Sequence, residues 1–447
     1  MRRGCAEVVL CALLAACSQK RTGGAAPSFD DCFVGSAAGS VRVQARCTDL
    51  DGLKVAVLRA EGGRRAADPV FFIPGGPGQS GFAAFAQVAG AFAPVRRHRD
   101  IVIIEPRGVG ESQPLTCSTP LPDDLRAPDA LSRLRTCAVE LRDRPSFINT
   151  TAAVRDIEMV RGALGYQTIN LYGASYGTRV ALQVAKARPD FVRALVLDGV
   201  IAPETSLGVE QARATQRAFD AVAKRAGGFR PKLALDGTRV AVRHPVTGEP
   251  THVELDDRLL QDTLRMMLYQ SELTALIPRV LAEAGRGNLV PLATQAALAR
   301  ASVEGAVNPL VYLSVVCAED IPYLPPEHRD EGLFVSRVAE LIEACKVWPV
   351  TKADAALKQP VVTDTPMFLL SGSADPVTPP SEAEKVAAHA THAHHLVLAD
   401  QGHIGVVRGC VPRLVADFID DPAATDFDTS CAARTSALPL FDGPNGP

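Results

Sequence analysis

Residues 169–179 read INLYGASYGTR, and they are the most informative part of the sequence about the fold. A short apolar run leads into the pattern Gly-x-Ser-x-Gly at 173–177, and a helix-forming segment follows to about residue 187. A serine on a sharp turn between a strand and a helix has the context of a nucleophile elbow. The turn lifts the hydroxyl to the carboxyl end of the sheet, and the helix N-terminus favours a developing negative charge. The stretch predicts Ser175 as a nucleophile, with a merely structural serine turn as the alternative.

Strand and helix signals alternate on both sides of this stretch. Short, β-rich apolar runs that end in Gly/Pro turns are typical of buried parallel strands, and they occur at 70–73, 101–104, 169–172, 194–197, 367–370 and 395–398. Helical periodicity covers 150–164 and, at the end of the pattern, 406–419. This alternation predicts an α/β protein with a mostly parallel, doubly wound sheet.

A central region of different character interrupts the alternation. Apolar residues recur at helical spacing over 259–269, 273–284, 289–301 and 333–345, which predicts a helical lid inserted after the sixth strand. The predicted organisation is a signal peptide at 1–16, a flexible tether at 17–40, core at 41–202, lid at 203–359, core again at 360–431 and a C-terminal tail at 432–447.

A serine hydroxyl needs a base, and nine histidines compete for that role. His403 lies in the loop Gln-Gly-His-Ile-Gly between the last predicted strand and the closing helix. The chain order Ser, Asp, His then selects Asp375, just beyond the strand at 367–370, as the acid that orients the imidazole. Asp400 as the acid, or Asp375 as a helix cap, is the alternative. Other histidines fit solvated or structural roles better, namely His389, His392, His394 and His395.

The glycine-rich loop PGGPG at 74–78 follows the first of these predicted strands. Glycines leave backbone N–H groups free to point at an anion, and two prolines stiffen the loop. The loop occurs where a nucleophile-elbow fold needs its second oxyanion donor. We therefore predict the N–H groups of Gly76 and Tyr176 as the oxyanion hole, with a tight structural turn as the alternative.

The N-terminal residues predict an export signal. Arg2 and Arg3 precede an apolar run that is too short to span a bilayer, as in a signal peptide. The run ends Leu-Ala-Ala-Cys at 14–17, which resembles a lipobox and predicts a lipid on Cys17. A plain secretory peptide cut near Ala16, or a retained signal anchor, is the alternative. We expect an exported bacterial lipoprotein of the cell envelope that contacts the membrane only through its anchor.

The number and spacing of the cysteines also indicate an exported protein. Of eleven cysteines, Cys5 and Cys11 leave with the signal peptide and Cys17 would carry lipid, so eight remain. An even remainder in an exported chain argues for disulfides. Neighbouring cysteines close the shortest loops, so we predict the pairs Cys32–Cys47, Cys117–Cys137, Cys317–Cys345 and Cys410–Cys431. Metal binding is the alternative, but no couple has the close C-x-x-C spacing of a zinc site.

The amino-acid composition and net charge argue against some classes of partner. Hydrophobic residues make up 47% of the chain and charged residues 22%, and the net charge of −3 is spread without long runs. Such a chain lacks the basic footprint of a nucleic-acid-binding protein and the polarity of a disordered one. We expect no nucleic acid, metal or cofactor, and the oligomeric state stays open.

Six motifs together resemble peptidase family S33, the α/β-hydrolase exopeptidases that include proline iminopeptidase and the tripeptidyl aminopeptidases. They are PGGPG at 74–78, EPRGVGES at 105–112, YGASYGTRVAL at 172–182, LDGV at 197–200, GSADPVTP at 372–379 and GHIGV at 402–406. The resemblance runs from about residue 50 to 431. It implies an α/β-hydrolase fold and cleavage after a short N-terminal stretch of a peptide whose free amine is held by lid carboxylates. One departure is Pro74, where the family has a histidine before GGPG.

An exopeptidase needs a negative charge near its nucleophile, because an ammonium group would otherwise be desolvated without compensation. Glu319 and Asp320, beside Cys317 in a segment that resembles the tripeptidyl branch, are the candidates. An ordinary surface acidic pair is the alternative. Two other functions remain open, since a fold does not fix a function. They are an esterase or other small-molecule hydrolase with the same triad, and an inactive binding protein on the same scaffold.

Overall fold

The computed structural model describes residues 27–35, 41–121, 127–228, 233, 235, 237–245, 247–303, 306–325, 334, 338–441, 443 and 446. A nine-stranded sheet is its centre, made of β1 (Asp30–Val34), β2 (Val43–Leu50), β3 (Leu53–Leu58), β4 (Val70–Ile73), β5 (Ile101–Ile104), β6 (Ile169–Ala174), β7 (Val192–Asp198), β10 (Met367–Gly372) and β11 (Ala393–Leu398). A separate antiparallel hairpin consists of β8 (Thr238–Arg243) and β9 (Pro250–Leu255).

The sheet is mostly parallel, as the sequence predicts. Its order is β1-β2-β3-β5-β4-β6-β7-β10-β11. The six strands from β5 to β11 run parallel, whereas β1, β2 and β3 form an antiparallel edge that joins β5. Because the carboxyl ends of parallel strands meet at one edge, the turns after β4, β6, β7 and β10 come together there.

The described helices follow the strands in the α/β manner. They are α1 (Gly81–Val88), α2 (Ala93–Arg96), α3 (Ala130–Leu141), α4 (Thr150–Ala163), α5 (Tyr176–Ala187), α6 (Val209–Arg225), α7 (Asp257–Leu268), α8 (Ser271–Thr274), α9 (Ile277–Gly285), α10 (Val290–Val303), α11 (Pro309–Glu319), α12 (Val338–Cys345), α13 (Pro380–Ala387) and α14 (Val411–Asp420). None of the helices in the described part of the chain combines the length and apolar character needed to cross a membrane.

Alternate residues of each central strand enter two different cores. In β4, Phe71 and Ile73 pack on one face of the sheet, whereas Val70 and Phe72 pack on the other. Both faces are covered because helices lie on each side, which explains why these strands read as continuous apolar runs in the sequence. A third cluster joins the β8–β9 hairpin to the helices α7, α9 and α10.

The region predicted as a lid lies between β7 and β10 and contains the helices α6 to α12. Seven strands precede it rather than six. The β8–β9 hairpin was not predicted, because the sequence pattern of this region predicted mostly helix. Its apolar residues alternate instead of following helical spacing, and Val242, Val253 and Leu255 are the buried ones.

The predicted tether at 17–40 is too long at its C-terminal end. Residues 30–34 form β1, which pairs with β2 in register, with Cys32 opposite Ala45. The predicted signal peptide at 1–16 and the lipidation site Cys17 lie outside the described residues.

The structure contains the four disulfides predicted from neighbouring couples, at sequence separations of 15, 20, 28 and 21 residues in chain order. Disulfides of this number are typical of proteins in oxidising compartments outside the cytosol. The last one, Cys410–Cys431, fixes the start of α14 immediately after the loop that carries His403.

Candidate active site

The strand–turn–helix around Ser175 has the strained geometry of a nucleophile elbow. Ser175 links β6 to α5 and has a φ of 54°, a region that residues with side chains rarely adopt. A Cβ on Gly173 would lie 2.5 Å from the Gly177 carbonyl oxygen, and one on Gly177 would lie 2.3 Å from that of Ile73. Glycine at both positions therefore allows the close approach of strand and helix that the turn requires.

Asp375 and His403 meet after β10 and β11. The carboxylate Oδ2 of Asp375 lies 2.8 Å from Nδ1 of the imidazole. The same carboxylate accepts hydrogen bonds from the N–H groups of Val377 and Thr378 and from the Thr378 hydroxyl. With its side chain wholly buried and four partners in place, the carboxylate is fixed against the ring. The second ring nitrogen is left for proton transfer.

The imidazole lies at the strand end next to the nucleophile. Ser175 N–H donates to the Asp198 carbonyl oxygen across β6 and β7 at 2.8 Å. A Cβ on the next residue, Gly199, would lie 2.8 Å from Cε1 of His403. Among the described residues, no hydrogen bond joins the Ser175 hydroxyl to the ring. In hydrolases this bond is often formed only when substrate is bound.

Two opposing effects set the charge of His403. Burial of the ring lowers its pKa, but the Asp375 carboxylate and, further away, that of Asp198 raise it by more, so the pKa of His403 lies above its ordinary value. The ring also packs edge-on against Tyr269, at 5.1 Å between centroids, and its backbone N–H donates to the Tyr269 carbonyl oxygen. Tyr269 is the C-terminal cap of α7, so the region predicted as a lid contacts the histidine loop.

The PGGPG loop packs against the nucleophile. A Cβ on Gly75 would lie 3.0 Å from Cβ of Ser175. Gly75 N–H donates to Gln79 Oε1 at 3.1 Å, whereas among the described residues the next N–H along the loop, that of Gly76, has no hydrogen-bond acceptor within the chain. Tyr176 N–H belongs to the first turn of α5, where helical N–H groups lack intrahelical partners. Both donors of the predicted oxyanion hole are thus in segments that border Ser175.

Glu319 and Asp320, which the sequence suggests as amine-binding residues, are buried and already paired. Asp320 accepts from both terminal nitrogens of Arg179 at 3.1 and 3.2 Å and lies 3.3 Å from Nζ of Lys358. Glu319 accepts from Thr150, through its N–H at 2.6 Å and its hydroxyl at 2.7 Å. Neither carboxylate is more than 1% exposed. Both carboxylates are thus engaged by residues of the chain itself, which favours a structural role over contact with a substrate amine.

A mainly apolar cavity opens beside the glycine-rich loop. It lies between that loop, the start of α4 and the lid helix α11, and its walls include Ile148, Tyr176, Val311 and Val315. The hydroxyl of Tyr176 is 2.8 Å from the Thr150 hydroxyl, which in turn donates to Glu319.

The cavity has one charged wall. Arg107 and Asp156 form an ion pair there, at 2.5 Å between Nη2 and Oδ1. Burial raises the pKa of Asp156, and Arg107 opposes that rise.

Sequence reasoning missed three residues of this site. Thr378 was signalled only by its place three residues after Asp375, and Tyr269 only by the helical pattern of the lid. Asp198 stands in the LDGV motif, whose aspartate had no assigned role. Among the described residues no group of three or more His, Cys, Asp or Glu side chains could hold a metal ion.

The fold and this site define a hydrolase of the α/β type. Residues 68–409 match the family described as "alpha/beta hydrolase fold", and the chain belongs to that family. A putative hydrolase of Escherichia coli K12, YuaR, is 24% identical over 85% of this chain and 83% of its own length.

Two named peptidases share a shorter part. The tripeptidyl aminopeptidase of Streptomyces lividans is 32% identical over 153 residues, which cover 30% of this chain and 28% of that enzyme. The serine protease Hip1 of Mycobacterium tuberculosis H37Rv is 31% identical over 170 residues, covering 33% and 32%. The matches to these two relatives therefore span about a third of their length or less.

Proposed function

We propose that this hydrolase is a serine exopeptidase of the S33 type that releases short N-terminal fragments or single residues from peptides. The observation that carries the proposal is the 2.8 Å contact of Asp375 with His403, whose ring lies over Gly199 beside the strained Ser175. The partial similarity to a tripeptidyl aminopeptidase and a serine protease supports a peptide substrate.

The proposed chemistry has two halves. Ser175 Oγ attacks the scissile carbonyl carbon while His403 takes its proton, and the N–H groups of Gly76 and Tyr176 bind the oxyanion. His403 then gives the proton to the leaving amine, which leaves an ester between the acyl fragment and Ser175. Water, deprotonated by His403, hydrolyses that ester. Asp375 holds Nδ1 protonated and stabilises the imidazolium in both halves.

Matched peptide amides with free and acetylated N-termini test the exopeptidase assignment. We expect turnover of the free peptides only, with defined short N-terminal products seen by mass spectrometry. Ser175→Ala protein, purified in the same way, controls for contaminating peptidases. Equal turnover of both peptide sets would contradict recognition of a free amine.

An esterase or another small-molecule hydrolase is the second candidate, and the cavity favours it. An ammonium group needs a carboxylate partner, but among the residues that line this cavity the carboxylate is that of Asp156, which is already paired with Arg107. An apolar acyl group would fill the cavity without that cost. Nitrophenyl esters of increasing acyl length, compared with the free peptides, discriminate the two candidates through kcat/KM.

Export and lipid anchoring at Cys17 complete the proposal. The disulfides support an oxidising compartment, and the Leu-Ala-Ala-Cys stretch at 14–17 supports acylation. Detergent phase partitioning of the full chain and of a Cys17→Ser variant tests this. We expect the wild type in the detergent phase and the variant in the aqueous phase, whereas aqueous partitioning of both would contradict an anchor.

A further inference from the structure

Asp198, the last residue of β7, connects the nucleophile to the loop that carries the imidazole. Its backbone carbonyl accepts from Ser175 N–H at 2.8 Å. Its carboxylate accepts from the N–H groups of Gly405 at 2.7 Å and Val406 at 2.8 Å. One residue therefore holds the backbone on both sides of the proposed proton transfer.

Both held segments contain a residue in the left-handed region. Ser175 has a φ of 54°, and Ile404, which directly follows His403, has a φ of 69°. A β-branched residue rarely adopts such a backbone, which persists only where its surroundings over-determine it. The hydrogen bonds that Asp198 accepts come from Ser175 itself and from the two residues after Ile404. They are placed to maintain this strained geometry.

The surroundings of the Asp198 carboxylate match its ionised form. The carboxylate is fully buried, and its third partner is the Tyr172 hydroxyl at 2.8 Å. All three partners donate, as a carboxylate requires. Burial raises the pKa of Asp198 above its ordinary value, and the hydrogen bonds from Gly405, Tyr172 and Val406 oppose that rise.

The groups around His403 come from three other elements. Asp375 and Thr378 face Nδ1 from the turn after β10, and Tyr269 packs on the ring from the end of α7. Burial raises the pKa of Tyr269 to about 12, so its phenol is neutral when the imidazole titrates. Among the described groups near the ring, the negative charges are those of Asp375 and Asp198.

We propose that Asp198 is a positioning residue that sets the separation of Ser175 from His403 and places a second negative charge near the imidazole. The inference rests on the triad of the proposed function and is independent of the choice between peptide and ester substrates. Among the described residues, no hydrogen bond joins the Asp198 carboxylate to Nδ1 of His403. Its role therefore differs from that of Asp375.

Labelling by a fluorophosphonate probe, measured as a second-order rate from acidic to neutral pH, tests this with Asp198→Asn and Tyr172→Phe. The asparagine keeps the size of the side chain but loses the charge. We expect labelling to slow by about 10- to 100-fold through misplacement of the base. We also expect the acidic limb to move to lower pH, because the imidazolium loses a stabilising charge. Tyr172→Phe keeps the charge, so a smaller loss with an unmoved limb is expected.

Asp400→Asn, an exposed change near the histidine loop, is the matched control and should label like the wild type. Wild-type rate and an unmoved limb in folded Asp198→Asn protein would overturn the inference. If Asp198→Asn protein does not fold, the labelling rate of Tyr172→Phe protein is the test. A wild-type rate in Tyr172→Phe would then overturn the inference. Failure of the wild type to react would instead end the proposed nucleophile, and this inference with it.

Discussion

Two buried clusters of charge lie near the nucleophile, and they differ in what their carboxylates are paired with. In the first, the catalytic pair, Asp375 contacts the titratable ring of His403. In the second, the Arg179 cluster, the carboxylates of Glu319 and Asp320 lie beside Arg179 and Lys358. Burial and acidity are common to both. The imidazole of the catalytic pair lies beside the nucleophile, whereas the carboxylates of the Arg179 cluster are held by buried cations. We therefore expect chemistry at the catalytic pair and a contribution to stability from the Arg179 cluster.

The largest expected effect is in the catalytic pair. Asp375→Asn should lower kcat by about 10⁴-fold with little change in KM, because the amide no longer holds the imidazole in its useful tautomer. Steady-state kinetics, on whichever substrate the wild type turns over, give the ratio of the wild-type kcat to that of the variant. Asp400→Asn, the alternative acid suggested by the sequence, is the control. A loss of equal size in that control would contradict the assignment of Asp375.

In the Arg179 cluster the effect should be on stability. Asp320→Asn leaves two buried cations with less compensation and should lower the free energy of unfolding by about 3–5 kcal/mol. The kcat of the folded fraction should stay close to that of the wild type. Denaturant unfolding measures the first quantity and active-site titration the second.

Asp417→Asn provides the contrast for this change. Its partner Arg413 is 3.8 Å away and both side chains are more than half exposed, so we expect a loss of about 1 kcal/mol or less. Arg179 and Lys358 outweigh burial and hold the pKa of Asp320 below its ordinary value. The stability from Asp320 is therefore present at neutral pH and is lost as the pH falls through its folded pKa. A loss for Asp320→Asn no larger than that for Asp417→Asn would mean that the cluster does not stabilise the fold.

Two disulfides, one near each cluster, test the same difference between catalysis and stability. Replacing Cys317 and Cys345, 28 residues apart beside the Arg179 cluster, should cost about 3–4 kcal/mol of stability by loop entropy and spare kcat. Replacing Cys410 and Cys431 should lower stability and also kcat, because that bridge fixes the chain just after the histidine loop. Thermal melts of both double variants measure the loss of stability, and steady-state kinetics measure kcat. Equal kcat in the two would show that the histidine loop does not need its bridge.

The smallest expected effect is a displacement of the pH profile. The base acts as neutral imidazole, and Asp375 and Asp198 outweigh burial to raise the pKa of His403. Activity should therefore rise with pH through an apparent pKa above the ordinary histidine value and be lost as the pH falls below it. The acidic limb of kcat/KM measures this. Glu319→Gln should leave the acidic limb in place. An acidic limb with an apparent pKa below the ordinary histidine value would contradict this prediction.

The sequence predicted the parts of this molecule that depend on local patterns. The parallel strands are buried on both faces, so their apolar runs could be recognised, and the glycines around Ser175 are required by close backbone contacts. The contact of Asp375 with His403 followed from chain order within a known arrangement.

The failures share a physical cause. Glu319 and Asp320 look like any acidic pair in the sequence, and only the fold brings Arg179, 141 positions from Asp320, beside them. The β8–β9 hairpin and the strand at 30–34 pair with the next segment of the chain, and most of their residues are exposed or half-buried. They therefore lack the continuous apolar runs by which the buried strands were recognised. Asp198 was overlooked because its partners lie 26 to 208 positions away.

Mapping the site of a fluorophosphonate adduct by peptide mass spectrometry tests whether Ser175 is the nucleophile that His403 activates. We expect one adduct, on the peptide that contains Ser175, with no adduct in Ser175→Ala protein and a severe loss of labelling rate in His403→Ala protein. An adduct that persists in Ser175→Ala at the wild-type rate would contradict it.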